Sequence, residues 1–226
     1  MPVIVALDFD SGAEALALVD TLGQRAGHFK VGLQLFTAEG PEIVRELVRR
    51  DKRVFLDLKL HEIPTSVASG VRMAGRLGAS LVTVHASAGS AALRAAVEAA
   101  RAFEGLQVLA LTVITSLRES DLEEIGVVGP LEDQVTRLAR LAVGSGCAGV
   151  VASAQEARVL AGLLPSGTLL VTPGIKFRGG DAQDQARVAT PEAAVQAGAT
   201  HLVIGRAVAR AADPVSAFEM AAAAFA

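Results

Sequence analysis

At 226 residues, 51% of them hydrophobic, and with a formal net charge of −3, the chain has material for one large core and too little positive charge to predict nucleic acid or an anionic membrane as a partner. No uninterrupted apolar run approaches the ~20 residues of a membrane span. Cys147 is the single cysteine, which excludes an intrachain disulfide and cysteine-rich zinc sites.

Strand-like runs alternate with helical patterns along the whole chain. The start, MPVIVALDFD, enters a strand pattern at once (3–9) without the basic-then-apolar layout of a signal peptide, so a cytoplasmic protein is expected. A second run covers 28–35 (HFKVGLQL), and Pro41 then suits the first turn of a helix over EIVRELVRR. Runs at 53–60 (RVFLDLKL) and 81–87 (LVTVHAS) follow, with Gly78 between them where a helix should stop. After 107–115 (QVLALTVIT), the stretch 117–133 is longer than a plain connection and has room for an extra short helix. Gly146 marks another stop before 149–153 (GVVAS) and 169–175 (LLVTPGI). Thr190-Pro191-Glu192 reads as an N-cap and helix start, and Gly198 as its stop. The eighth run is 201–208 (HLVIGRAV), and Asp213-Pro214 repeats the capping device before the last helix.

No linker or low-complexity tract divides the chain, which predicts one domain over 1–226. Eight strand–helix units in this length predict an α/β protein of the single (β/α)8, or TIM, barrel type. An open doubly wound sheet is the alternative, but the first turn after a strand, DFDSGAE, has no G-x-G-x-x-G phosphate fingerprint.

Function in such barrels gathers at the C-terminal ends of the strands. Side chains alternate along a strand, so Val54, Leu56, Leu58 and Leu60 form one apolar face while Phe55, Asp57 and Lys59 form the other. A barrel strand has no solvated face, so Asp57 and Lys59 must point inward, which is costly unless they pair. In 28–35, Lys30 shares a face with His28, Gly32 and Gln34; in 3–9, Asp8 shares one with Ile4 and Ala6. Three strands thus bring Asp8, Lys30, Asp57 and Lys59 to one end, where alternating charges hold each other ionised and fixed. Lysine is rare here: Lys30, Lys52, Lys59 and Lys176 are the four in the chain, and unlike arginine they release a proton at ordinary pH.

The opposite half reads as an anion site. Pro173-Gly174-Ile175-Lys176 ends the seventh run, Gly205-Arg206 lies in the eighth, and the polar 177–185 (FRGGDAQDQ) between them reads as a lid, with Gln185 able to offer an amide. The four histidines, His28, His61, His85 and His201, lack the i, i+4 spacing of a zinc helix, and structural roles are expected for them; His85, ending the fourth run, is placed to line a pocket. No G-x-S-x-G elbow or serine–histidine arrangement supports hydrolase chemistry.

Taken together these segments resemble the orotidine 5′-monophosphate decarboxylase family, over nearly the whole chain. The most specific piece is Asp57-Leu58-Lys59-Leu60-His61-Glu62-Ile63-Pro64, similar to the family's DLKxHDIP; ALDF, KVGLQLF, VTVHASAG, LTVITS, VTPGIK, Gln185 and VIGRAV match in order. The resemblance implies a metal- and cofactor-independent decarboxylation of orotidine 5′-monophosphate to uridine 5′-monophosphate. It implies that Asp8 and Lys30 contact the ribose, that Asp57 and Lys59 face C6 and its carboxylate, and that Thr115 or Ser116 contacts the pyrimidine. Lys176, Gln185, Gly205 and Arg206, with Pro173 beside them, would hold the phosphate end. It also implies a homodimer in which the acid at position 62 is offered to the neighbouring active site. Two positions depart from the pattern: Glu62 stands where the family has Asp, and Lys176 where Arg is frequent. The plain reading of Glu62 is a solvent-facing residue before a helix capped by Thr65 or Ser66. Rival functions are a magnesium-dependent phosphosugar decarboxylase or synthase of related barrel type, and a non-catalytic nucleotide-binding barrel.

Overall fold

A computed structural model describes residues 3–177 and 189–226. Eight parallel strands close into a barrel in sequence order: β1 (Val3–Ala6), β2 (His28–Gly32), β3 (Arg53–Leu60), β4 (Leu81–His85), β5 (Gln107–Leu111), β6 (Gly149–Val151), β7 (Leu169–Thr172) and β8 (His201–Ile204). Closure is made by β1 against β8, with Val3 opposite Leu202 and Val5 opposite Ile204. The chain is a (β/α)8 barrel.

Among the described residues the helices are α1 (Gly12–Leu22), α2 (Leu33–Glu39), α3 (Glu42–Arg49), α4 (Pro64–Arg76), α5 (Gly89–Ala100), α6 (Glu119–Glu124), α7 (Leu131–Gly144), α8 (Ala154–Leu163), α9 (Pro191–Gln196), α10 (Arg206–Ala209) and α11 (Pro214–Ala223), with a 3-10 turn at Ala86–Ala88. None is long and apolar enough to cross a membrane. The capping devices act as their chemistry requires: Thr190 accepts from the Ala193 N–H and Asp213 from the Ser216 N–H, each followed by a proline in the first turn. Gly78, Gly146 and Gly198 take positive φ beyond the ends of α4, α7 and α9. The long connection after β5 holds α6.

Two apolar layers follow from strand alternation. Inside the barrel pack Ile4, Phe55, Leu109, Val171 and Val203; outside, between strands and helices, Phe29, Leu47, Leu93 and Leu202 are among the fully buried side chains. Each such side chain contributes roughly 1.5–3 kcal/mol of transfer free energy.

The expected boundaries need correction at one end. Only β3 spans its expected run; the other seven strands stop two to four residues early, because the stretches that looked like their continuations turn over the barrel mouth as loops or as the short helical turns at Leu33–Glu39, Ala86–Ala88 and Arg206–Ala209. At 33–35 the alternation is followed by helix α2 instead, leaving Leu33 58% exposed. The helix after Glu62 is not capped by Thr65 or Ser66: Pro64 sits in its first turn and Ile63 at the cap position, since proline's missing N–H suits the site where no helical bond is made.

Candidate active site

At the C-terminal mouth, β1, β2 and β3 place one chain of charges. Lys30, inside β2, reaches Asp8 Oδ1 at 3.0 Å and Asp57 Oδ2 at 3.8 Å; Lys59 Nζ lies 2.8 Å from Asp57 Oδ2. The inner pair, Lys30 and Asp57, is nearly closed off at 12% and 11% side-chain exposure, while Lys59 is 33% and Asp8 48% exposed. At an effective dielectric of ~20 such a contact supplies about 4 kcal/mol before desolvation is subtracted, so removing one member strands the others. Gly32 makes room for this: a Cβ there would stand 2.8 Å from Lys30 Nζ.

β3 departs from regular pairing at this point. Leu56 lies opposite Val82, but Leu60 lies opposite Val84, so three residues of β3 face one residue of β4. Lys59 takes φ +51° there, a left-handed conformation that β-strand residues avoid. Thr83, fully buried in the middle of β4, fills the gap: its hydroxyl accepts from the Lys59 N–H at 2.9 Å and donates to Asp57 Oδ1 at 2.9 Å. Sequence reasoning missed Thr83. Its only signal was a polar residue between Val82 and Val84 in a buried strand.

The charges open into a cavity of about 250 Å³. Asp8, Lys30, Asp57, Lys59, Thr115, Pro173, Lys176, Gly205 and Arg206 all line it, so cations stand on two sides, from β2–β3 and from the ends of β7–β8. Phe55, placed on the inward face by strand alternation, supplies an apolar floor together with Leu111, Val151 and Val203, which sequence reasoning did not single out. Ser116 is exposed and is not among the lining residues, and neither is Glu62, which belongs to the continuously exposed stretch 61–66. Gln185 and all of the 177–185 segment except Phe177 lie outside the described residues. On either side of that gap Ile175 pairs with Ala189, with Lys176 N–H donating to Ala189 O at 2.9 Å and Ala189 N–H to Gly174 O at 3.1 Å.

Beside the mouth, the His61 and His85 rings stack with centroids 5.0 Å apart. Burial, with His61 and Lys59 nearby, pushes the His85 imidazole below its usual range, so it is neutral at pH 7. Among the described residues no three histidine, cysteine or acidic side chains converge as metal ligands.

A second cavity, about 260 Å³, lies at the opposite end, lined by residues at or beside strand starts that include His28, Arg53, Gln107 and His201. Burial, reinforced by the positive charge of Arg53, drives the His28 pKa down to about 4.

Comparison with known proteins points one way. Residues 1–221 match the model of the family described as orotidine 5′-phosphate decarboxylase / HUMPS. The chain is 49% identical over 216 residues to the orotidine 5′-phosphate decarboxylase of Alkalilimnicola ehrlichii, covering 95% of this chain and 92% of that protein. It is 46% identical over 215 residues to that of Anaeromyxobacter sp. (strain K), covering 95% and 94%. A crystal structure of orotidine 5′-phosphate decarboxylase from Lactobacillus acidophilus superposes with a TM-score of 0.88 at 33% identity, over 99% of this chain and 98% of that one.

Proposed function

The chain belongs to the orotidine 5′-phosphate decarboxylase / HUMPS family, and we propose from that premise that it converts orotidine 5′-monophosphate to uridine 5′-monophosphate and carbon dioxide, with neither metal nor organic cofactor. The observation that carries this reading is the alternating chain Lys30–Asp57–Lys59, with Lys59 Nζ 2.8 Å from Asp57, at one side of a cavity whose other side holds Lys176 and Arg206.

Breaking the C6–carboxylate bond leaves an electron pair in the plane of the pyrimidine, where no carbonyl is positioned to delocalise it. The site must therefore stabilise localised negative charge, and an ammonium fixed at C6 does this directly. Lys59 then donates a proton to C6, the bond that carbon dioxide has vacated, and regains one from solvent. Asp57 stands by the departing carboxylate and disfavours the substrate's charge more than the transition state's. Asp8 and Lys30 take the ribose hydroxyls, Thr115 or Ser116 the pyrimidine edge, and Lys176, Gln185, Gly205 and Arg206 the phosphate, with Pro173 shaping the wall. Binding energy from the phosphate, remote from the bond broken, holds the charged groups in place and raises the rate rather than only the affinity.

In this reading the whole chain is one cytoplasmic barrel domain, working as a homodimer in which Glu62 is offered to the partner's site. Supporting this, Ile63 beside Glu62 is 59% exposed and Leu33, beyond the end of β2, 58%; two large apolar side chains at the rim of the mouth favour a subunit contact. A magnesium-dependent reaction would require Asp8 or Asp57 to face a cation, and both are engaged by lysine ammonium groups instead. A spectrophotometric assay with orotidine 5′-monophosphate in the presence of EDTA tests the proposal. Turnover unaffected by the chelator is expected; loss of turnover on chelation, or binding of uridine 5′-monophosphate without turnover, overturns it.

A further inference from the structure

We propose that Thr83 is a positioning residue for this reaction, the hydroxyl that fixes where the Lys59 ammonium and the Asp57 carboxylate point. The inference rests on the reading of Lys59 and Asp57 given above, and it starts from proton counting. A threonine hydroxyl has one proton and two lone pairs. The Lys59 backbone N–H occupies a lone pair at 2.9 Å, and a donor facing that N–H would leave it unsatisfied in a buried place. The hydroxyl proton is thereby directed to its other neighbour, Asp57 Oδ1, also at 2.9 Å.

Asp57 has then committed one oxygen to Thr83 and the other to Lys59 Nζ at 2.8 Å, with Lys30 Nζ at 3.8 Å. The contacts form a closed ring: Lys59 N–H to Thr83, Thr83 to Asp57, Asp57 back to the Lys59 ammonium. Lys59 is gripped at its backbone and at its tip through one intermediary. Left to itself, a lysine side chain samples many rotamers, and its backbone would leave the left-handed region it occupies at φ +51°. The surplus residues of β3 arch over Thr83, the single residue of β4 opposite them. The arch has no other side chain beneath it among the hydrogen bonds of Asp57 and Lys59 described. A hydroxyl needed only to satisfy a strand N–H would not also have to meet a carboxylate of the site.

Misplacement of a reacting group by about 1 Å costs on the order of 100-fold in rate. Thr83→Val keeps the shape and removes the hydroxyl. Its kcat is expected to fall on the order of 100-fold with KM for orotidine 5′-monophosphate within about threefold, because the ribose and phosphate contacts are untouched. Thr83→Ser restores the hydroxyl and should recover kcat to within about threefold of wild type. Wild-type kcat in folded Thr83→Val, or a kcat loss that Thr83→Ser does not recover, overturns the assignment. If Thr83→Val does not fold, as judged by circular dichroism, Thr83→Ala with the same serine rescue carries the same two outcomes. Wild-type turnover tests the function reading separately. Should the wild type not turn over, crystal structures of the valine and serine variants still decide: Lys59 Nζ displaced from Asp57 in the first and retained in the second supports the ring, and an unmoved ammonium in the valine variant refutes it.

Discussion

The two mouths of the barrel hold cavities of nearly equal size, about 250 and 260 Å³, and both gather titratable side chains, yet they handle charge in opposite ways. At the C-terminal mouth Asp8, Lys30, Asp57 and Lys59 alternate in sign, each within 4 Å of an opposite partner. At the N-terminal mouth no carboxylate is among the described residues that line the cavity; burial and the charge of Arg53 hold His28 and His201 in their neutral forms. An apolar plug containing Ile4, Phe55, Leu109 and Val171 separates the two. A cavity of given volume is thus no guide to chemistry. Side chains of opposite sign fixed against one another are preorganised to act on a developing charge, whereas imidazoles kept neutral by burial offer no such arrangement.

Substitutions at the first mouth should break that contrast most severely at Lys59. Lys59→Ala is expected to lower kcat on the order of 10⁴-fold or more, the combined scale of a lost proton donor and a lost electrostatic contact. Lys59→Arg should not restore it, since guanidinium does not release its proton; recovery of even a tenth of wild-type kcat would remove the proton-donor role. Next comes Glu62, which is exposed and outside the cavity of its own chain. If it completes the partner's site, Glu62→Ala loses activity on the order of 100-fold while Glu62→Asp stays within about tenfold. Mixing Glu62→Ala with Lys59→Ala subunits should then regenerate activity, because both defects fall in one site of the mixed dimer; absence of recovery on mixing removes Glu62 from the site. Arg206→Ala should cost roughly 1.5–3 kcal/mol in kcat/KM, the scale of one hydrogen bond to a charged group. Orotidine without its phosphate should be almost indifferent to that change, and equal losses for the two substrates would assign Arg206 to the fold.

The second mouth should answer only in stability. His28 falls from the ordinary 6.5 to about 4 on folding, so between those values the unfolded chain binds the extra proton and stability drops as pH falls. Allowing for solvent screening, the loss from pH 7 to about pH 4.5 is on the order of 1–2 kcal/mol. Urea midpoints read it directly: His28→Asn should flatten that part of the pH dependence and leave kcat within about twofold. A changed kcat would mean that the two mouths communicate through the plug.

How far these differences were legible in the sequence depended on whether the signal was local. The eight strand starts could be read because buried parallel strands are short β-branched runs bounded by helix caps. The ends of the other seven strands could not, unlike that of β3, since segments that build the mouth, such as 114–115 and 173–175, carry apolar residues like the strands before them and line the cavity. Asp57 and Lys59 stood out because charges on a buried strand must meet partners. Thr83 did not, because threonine is an ordinary strand residue and the three-against-one pairing that gives it a task arises only between β3 and β4. Three of the four rare lysines, Lys30, Lys59 and Lys176, line the first cavity, whereas Lys52 donates to the carbonyls of Gly23 and Ala26, closing the end of α1.

The left-handed backbone of Lys59 sets the chemistry of the site against the durability of the fold. Glycine is the residue that position would choose on conformational grounds, and the position cannot have it, since glycine carries no ammonium. Two inactive variants expose the tension cleanly because both have lost the same side-chain contact. In an ordinary strand alanine is the more stabilising of the two, but here Lys59→Gly should be more stable than Lys59→Ala by about 1 kcal/mol, and so melt at the higher temperature. That inverted order, read from paired thermal melts, would measure how much stability selection has surrendered to keep an amine at that spot.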